Sequence, residues 1–423
     1  INLMNNSHFS FIKNKKFKNF IIYGFGQAFN LLVPFMLIPF IVDKCGEENF
    51  GKTALAFSIY IFFIAFIDFC CDLIGVKEIS ENRNNIKHLN NFISKFFIIK
   101  TVILIISIVL LLVLIQFTNV FGDEKKMFLF GLTILIGQFI NPTWILQGLE
   151  SFGLLTIFNI VSKTIYLFGV FYFLTNSNDY FLINFWFGNG LIISGLLIWF
   201  FIRKKYKLEF IPQNKTTVLS YMNSNKGIVF SQIFVWFQLY AVIIIISFLG
   251  TELEVGQFRI TDQIINIFRT ISLLCFNFLF PGMCYDFSIN KKNALKKWKL
   301  YNLACLAFVV ISCVILFIFS YDIINYFNAT NIYLLTNLLK LYLIFPILHY
   351  INISLKQLLI ANNLNKKYVK ITIFTTIINL LGMYFLYNIF YLYGIVYSFI
   401  FTEALMILLS IIIILNHNKK KNV

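Results

Sequence analysis

The sequence has few of the residues from which catalytic and metal sites are built. Four histidines occur among 423 residues, and neither the zinc-binding motif HExxH nor the nucleophile turn GxSxG is present. The seven cysteines form no CxxC pair and fall mostly inside apolar stretches, which is typical of packing residues. We therefore expect no catalytic residue, no metal site and no cofactor, in a protein that is not an enzyme.

Acidic residues are also scarce, with 18 Asp and Glu against 35 Lys and Arg and a formal net charge of +17. In a soluble protein such an excess would suggest a nucleic-acid partner. With 59% hydrophobic residues and a mean hydropathy of +0.81, however, the chain is too apolar for a water-soluble core. Cytoplasmic loops of membrane proteins carry excess Lys and Arg, so we expect no nucleic-acid partner.

What the sequence has in abundance is long apolar stretches. A run of about 20 apolar residues crosses a bilayer as a helix. The pattern therefore predicts an all-α polytopic membrane protein with twelve transmembrane helices. The predicted spans are 20–42, 53–75, 93–116, 127–148, 152–175, 180–202, 228–249, 256–280, 300–319, 334–358, 369–388 and 391–415.

The basic residues fall almost entirely in every second gap between these spans. One set of gaps, together with the two terminal tails, holds 24 Lys and Arg, and the opposite gaps hold four. Because cationic loops stay in the cytoplasm, both termini are predicted to be cytoplasmic. Such a face attracts anionic membrane lipids and lipid-linked substrates, by about 1 kcal/mol per basic residue near the surface.

The longest connection, residues 203–227, divides the spans six plus six. It predicts an N-terminal lobe (1–202), a cytoplasmic linker and a C-terminal lobe (228–423), the linker being either an interfacial amphipathic segment or a solvated one. Weak similarity between the halves, as between Gly26-Gln27 and Ser231-Gln232, indicates pseudo-symmetric lobes. Parallel repeats of this kind place the substrate near the membrane midplane between lobes that rock.

Predicted span eight carries the densest set of charges. Arg259, Asp262, Asn266 and Arg269 follow one another at spacings of three, four and three, so they form one polar stripe on a helix. An ionisable residue at this depth costs about 2.5–3.5 kcal/mol and normally faces a cavity or a partner. We consider two roles for Arg269, as an anion-binding residue of a cavity or as part of a buried structural ion pair.

Two further lysines lie inside predicted spans. Lys163 is about mid-membrane in span five without an adjacent acid, which indicates a pocket that receives anions. Lys100 lies closer to the inner interface, and we expect its side chain to extend to the membrane surface.

Three acids are candidates for carrying a coupling ion: Asp262, Asp68 near the end of span two, and Glu403 in the last span. A buried carboxyl group can take up a proton because desolvation disfavours its charged form. Structural hydrogen bonding to neighbouring helices is an equal alternative for each of them.

Several segments resemble a known family. The stretch from Tyr23 to Pro34, followed by Ile38-Pro39 and the segment 46–51, is similar to the opening of the Wzx-type polysaccharide flippases of the MATE-like MOP exporter superfamily. The run Pro142-Thr-Trp-Ile-Leu-Gln-Gly-Leu-Glu150 resembles that family's P-x-W-x-x-Q-G-x-E signature. Asp68 stands where the family often has an acid, and the resemblance covers essentially the whole chain.

The resemblance implies a function in the bacterial inner membrane. The substrate would be an oligosaccharide on undecaprenyl pyrophosphate, an O-antigen or capsule repeat unit moved from the cytoplasmic to the periplasmic face by ion-coupled alternating access. Arg269, Lys163 and Arg259 would bind its diphosphate through charge-assisted hydrogen bonds. A polysaccharide polymerase and a chain-length regulator are the protein partners that it implies.

Three alternatives differ in chemistry. A multidrug exporter of the same superfamily would need an acid-rich cavity for organic cations, whereas the deepest charges here are mainly basic. A membrane polysaccharide polymerase would need a large periplasmic loop, and the longest outer loop predicted here is 320–333. An exporter of lipid II or teichoic acid would carry out the same reaction on another polymer, and the sequence does not separate it.

Overall fold

A computed structural model describes residues 15–117, 124–362 and 364–421. Within these ranges the chain is helical and contains no β-strand, so the all-α prediction is confirmed. The α-helices are α1 (Lys15–Ile67), α2 (Val76–Asn82), α3 (Ile86–Phe117), α4 (Lys125–Ile140), α5 (Thr143–Gly148), α6 (Phe152–Phe173), α7 (Phe181–Tyr206), α8 (Lys215–Leu249), α9 (Glu252–Ile289), α10 (Lys291–Ile318), α11 (Ser320–Tyr326), α12 (Ile332–Tyr342), α13 (Ile344–Ala361), α14 (Asn365–Phe390) and α15 (Leu392–Lys421).

In the described part of the chain, nine helical segments are long and apolar enough to cross a membrane. Helix α1 is counted once among them although it contains the first predicted span and residues 53–67 of the second, on either side of a kink where Gly46 has φ 80°. Helices α8 and α9 cover predicted spans seven and eight and are not among the nine. A polytopic membrane protein is confirmed, and the number of twelve spans stays a prediction.

Some segments on which the predicted topology depends lie outside the described residues. This applies to the start of the N-terminal tail with Lys13, to most of the loop after span three and to the last two residues of the C-terminal tail. The cytoplasmic position of both termini stays a prediction.

The chain forms two compact units, residues 1–240 and 241–423. The boundary falls inside α8, whereas the predicted division places it at the 203–227 linker; the roles of the two predicted lobes stay predictions. In the first unit, residues 207–214 lie along α3, because the backbone N–H groups of Glu209 and Ile211 donate to Asn90 and Ser94. This part of the linker is therefore tied to its own unit.

Small residues set the closest helix packing in each unit. Gly188 of α7 lies against the backbone of Thr133 and Ile134 in α4, and Gly394 of α15 lies against the backbone of Leu386 in α14. Inside a membrane, helices associate mainly through such close packing and through interhelical hydrogen bonds. One of these four helices, α15, carries the partly buried Glu403.

Replacing Gly188 by alanine should destabilise the first unit by about 1–3 kcal/mol, because the added methyl group overlaps the α4 backbone. The measurement is thermal unfolding in detergent. Gly153→Ala is the matched control, since a Cβ there meets nothing within 4 Å. Equal melting temperatures for the two variants would contradict the close approach of α4 and α7.

Candidate anion-binding site

Two arginines share one aspartate in α9. Arg269 Nη1 lies 2.8 Å from Asp262 Oδ1, and Arg259 Nη1 lies 3.3 Å from Asp262 Oδ2. The Asp262 side chain is 6% exposed, and those of Arg269 and Arg259 are 15% and 22% exposed. The spacing predicted from the sequence thus brings all three charges together, and they leave one positive charge in excess.

Arg269 is held on several sides by residues far away in the sequence. Its Nη2 donates to the Tyr342 hydroxyl at 2.8 Å, and that hydroxyl donates to Asp262 at 3.1 Å. The guanidinium carbon lies 5.1 Å and 5.8 Å from the ring centroids of Phe345 and Phe399. Its Nε is buried and has no hydrogen-bond partner among the described residues.

Arg269 therefore forms a buried ion pair with Asp262, which was one of the two roles considered for it from the sequence. Arg259 is the more available cation of the two, because it is more exposed and its single ion pair with Asp262 is longer. An oxyanion entering beside Arg259 would meet a guanidinium whose charge Asp262 only partly balances. Binding of an anion by this trio stays a prediction.

Glu403 in α15 is also partnered. His349 Nδ1 lies 2.9 Å from Glu403 Oε1, and Asn352 donates its side-chain N–H to the carboxylate and, at 3.0 Å, to the Glu403 carbonyl. Sequence analysis did not single out His349. A signal was present, because Phe345, His349 and Asn352 recur at spacings of four and three and share one face of α13.

The first unit holds a neutral pair of buried charges. Lys100 Nζ lies 3.5 Å from Asp68 Oδ1 and donates to the Gln138 carbonyl at 3.3 Å, and the Gln138 amide donates to Asp68 at 2.9 Å. The Lys100 side chain is 0% exposed. Our expectation that it extends to the membrane surface was wrong, because Asp68, in the turn that follows α1, lies within reach of the buried ammonium group.

Lys163 of α6 lies on aromatic rings. Its Nζ is 4.2 Å from the ring centroid of Phe187 and 5.8 Å from that of Tyr166, and it forms no ion pair with a described carboxylate. A cation over aromatic faces is stabilised without being neutralised. No described carboxylate therefore neutralises Lys163, and its role as a receiver of anions stays a prediction.

The signature at residues 142–150 packs closely against residues 75–83. The Trp144 ring is 2% exposed and lies against Gly75, while Gly148 lies against Ile79 and Glu150 pairs with Arg83 at 3.1 Å. A side chain at either glycine would overlap these neighbours. The signature thus joins α2 to α5, which is a structural role.

Residues 46–53 match the spacing of a nucleotide phosphate loop, GxxxxGK followed by Thr, and only the structure decides what this match means. A phosphate loop follows a β-strand, whereas these residues follow helical backbone and continue α1. Lys52 is paired with Glu48 and Glu124, and the Thr53 hydroxyl donates to the Phe50 carbonyl. The match is therefore not a nucleotide site.

Membrane transporters are among the solved structures that resemble this chain. An inward-facing multidrug resistance MATE family transporter of the MOP superfamily aligns with a TM-score of 0.72 and 15% identity, over 93% of this chain and 96% of the other. The lipid II flippase MurJ, in an inward closed conformation, aligns with a TM-score of 0.71 and 14% identity, over 93% and 87%. The fold is that of a MOP-superfamily transporter.

The chain belongs to the family described as polysaccharide biosynthesis protein, whose model matches residues 17–284. A relative from Escherichia coli strain K12, named "Putative O-antigen transporter", is 19% identical over 407 residues, which is 95% of this chain and 97% of the relative. The family resemblance drawn from the sequence motifs is confirmed.

The structural role of the Asp68–Lys100 pair can be tested by measuring stability. Lys100→Met should lower the unfolding free energy by about 3–5 kcal/mol, because it leaves a buried carboxylate without its cation. The double variant Asp68→Asn/Lys100→Met should recover most of that loss, since residue 68 then carries no charge. Thermal unfolding of the three purified proteins measures both effects, and a double variant no more stable than Lys100→Met would contradict the pair.

Proposed function

We propose that this protein is a polysaccharide flippase of the bacterial inner membrane. Its substrate would be an oligosaccharide repeat unit, of O-antigen or capsule type, linked to undecaprenyl pyrophosphate. The lipid-linked unit would move from the cytoplasmic to the periplasmic leaflet by alternating access. The family match, the relative named as an O-antigen transporter and the fold shared with a lipid II flippase support this proposal.

The observation that carries the proposal is the excess positive charge around Asp262. A diphosphate is the most strongly charged part of such a substrate, and a flippase has to offset the loss of its hydration. Arg259 can do so because its guanidinium has donors left beyond its bond with Asp262. Lys163 adds a second cation that no described acid neutralises.

A multidrug exporter is the main alternative, since a transporter of that kind shares the fold. An organic cation entering near Asp262 would meet two arginines bound to one carboxylate. Two other partly buried acids, Asp68 and Glu403, already have Lys100 and His349 as partners. These three carboxylates therefore favour an anionic substrate over a cationic one.

Ion coupling is part of the proposal; Asp262, Asp68 and Glu403 are its three candidate carriers, and of these we favour Glu403. Glu403 differs from the other two acids because its partner His349 is charged only when protonated. We expect Glu403→Gln to abolish the stimulation of transport by a proton gradient, whereas Asp68→Asn/Lys100→Met should retain it. The measurement is transport into proteoliposomes with and without an imposed pH gradient. Gradient stimulation that survives in Glu403→Gln would remove this residue from the coupling scheme.

The head-group site is tested by two variants, one expected to weaken and the other to strengthen binding of the substrate's head group. Arg259→Gln should weaken binding of undecaprenyl pyrophosphate about tenfold, because it removes a charge-assisted contact. Asp262→Asn should strengthen binding, because both arginines then lack their counter-charge. The stability of Asp262→Asn should be lower without ligand and rise more steeply with added ligand than that of the wild type.

These affinities are measured by the ligand-induced shift in melting temperature of the purified protein in detergent. Lys44→Gln and Lys125→Gln are matched controls, since both remove an exposed charge from the gaps opposite the basic ones and should leave the affinity unchanged. An affinity that falls in Asp262→Asn, or stays constant in Arg259→Gln, would contradict the proposed head-group site.

A further inference from the structure

The ring of Phe345 contacts both Arg269 and His349. The Arg269 guanidinium carbon lies 5.1 Å from its centroid, and the His349 imidazole is stacked on it at 5.2 Å with an interplanar angle of 16°. Phe345 is 4% exposed and follows the break between α12 and α13. Its ring centroid also lies 5.6 Å from that of Tyr342 and 5.5 Å from that of Phe399, so His349 is one of three aromatic side chains that fix its orientation.

The imidazole is in turn fixed from α15. Its Nδ1 lies 2.9 Å from Glu403 Oε1, a distance at which the ring N–H donates to the carboxylate. The Glu403 carboxylate is held by Asn352, which also donates to the Glu403 carbonyl at 3.0 Å. A continuous series of contacts thus runs from α15 through α13 to the guanidinium in α9.

The position of Arg269 decides how Asp262 is shared. While Arg269 occupies Asp262 Oδ1, the carboxylate meets Arg259 only through Oδ2, at 3.3 Å. If Arg269 moved away, Asp262 would be free to turn both oxygens to Arg259 and neutralise it. An anion would then find a neutral ion pair in place of an available cation.

We propose that His349 is a positioning residue for Arg269. By holding the Phe345 ring against the guanidinium, His349 keeps Asp262 divided between the two arginines and leaves Arg259 able to receive the diphosphate. This inference rests on the proposed function and assigns it a residue that does not contact substrate.

A double-mutant cycle tests the inference, with undecaprenyl pyrophosphate as the probe and the melting-temperature shift of the full-length protein in detergent as the readout. His349→Leu should weaken affinity about tenfold, which is the order expected for losing a desolvated cation–π contact. In an Arg269→Gln background the same substitution should change nothing further. His349→Phe should retain most of the affinity, because it restores a flat ring on Phe345.

Tyr350→Phe is the matched control. It removes a buried hydrogen bond on the same helix, from the Tyr350 hydroxyl to Asn302, and should leave the affinity unchanged. If His349→Leu does not fold, His349→Gln takes its place, since it can bond Glu403 and lacks only the ring.

The outcomes separate the two proposals. Unchanged affinity in Arg259→Gln would contradict the proposed head-group site itself. Weakened binding in Arg259→Gln with unchanged binding in His349→Leu would overturn the positioning role alone. An equal loss from His349→Leu with and without Arg269 would also overturn it, because His349 would then act independently of the guanidinium.

Discussion

The sharing of one buried carboxylate by two arginines is the interaction on which the rest of the site depends. Three ionised groups inside a membrane bundle are tolerated only when each has a partner, since an unpaired charge there is costly. Asp262 satisfies both arginines, and Tyr342 adds a hydrogen bond to each member of the tighter pair. These bonds stabilise the three buried charges, and the cluster keeps a net charge of one positive unit.

The first unit resolves the same physical problem in another way. Asp68 and Lys100 are one acid and one base, and Gln138 and the backbone complete their hydrogen bonds. Such a pair has no net charge, so it holds helices together and gives an anion little reason to bind. The contrast indicates that net charge, more than the presence of a buried basic residue, distinguishes a candidate binding site from a structural one.

The fold class and the position of the charges on α9 were predictable from the sequence, because both depend on local periodicity. Hydropathy gave the all-α membrane class, and the spacing of Arg259, Asp262 and Arg269 placed them on one face of a helix. The partners of these residues were not predictable. Tyr342 lies 73 residues from Arg269, and Lys100 of α3 meets Asp68 in the turn after α1. A contact of that kind depends on how helices pack, for which one sequence carries no periodic signal.

His349 shows the same limit. Its stripe with Phe345 and Asn352 was visible, but its meaning depended on Glu403 in another helix, 54 residues away. The opposite holds for the phosphate-loop spacing at residues 46–53. There the sequence motif is present, but without the preceding strand and turn it does not form a phosphate-binding loop. In both cases the three-dimensional surroundings decide what the residues can do.

The most direct test of the account is complementation of a bacterial strain that lacks its O-unit flippase and carries the matching assembly genes. Wild-type protein should restore surface polysaccharide, whereas Arg259→Gln, expressed at the same level, should leave lipid-linked units trapped at the cytoplasmic face. Full restoration by Arg259→Gln, or none by the well-expressed wild type, would contradict the central claim that this cationic cluster serves the transport of an anionic lipid-linked saccharide.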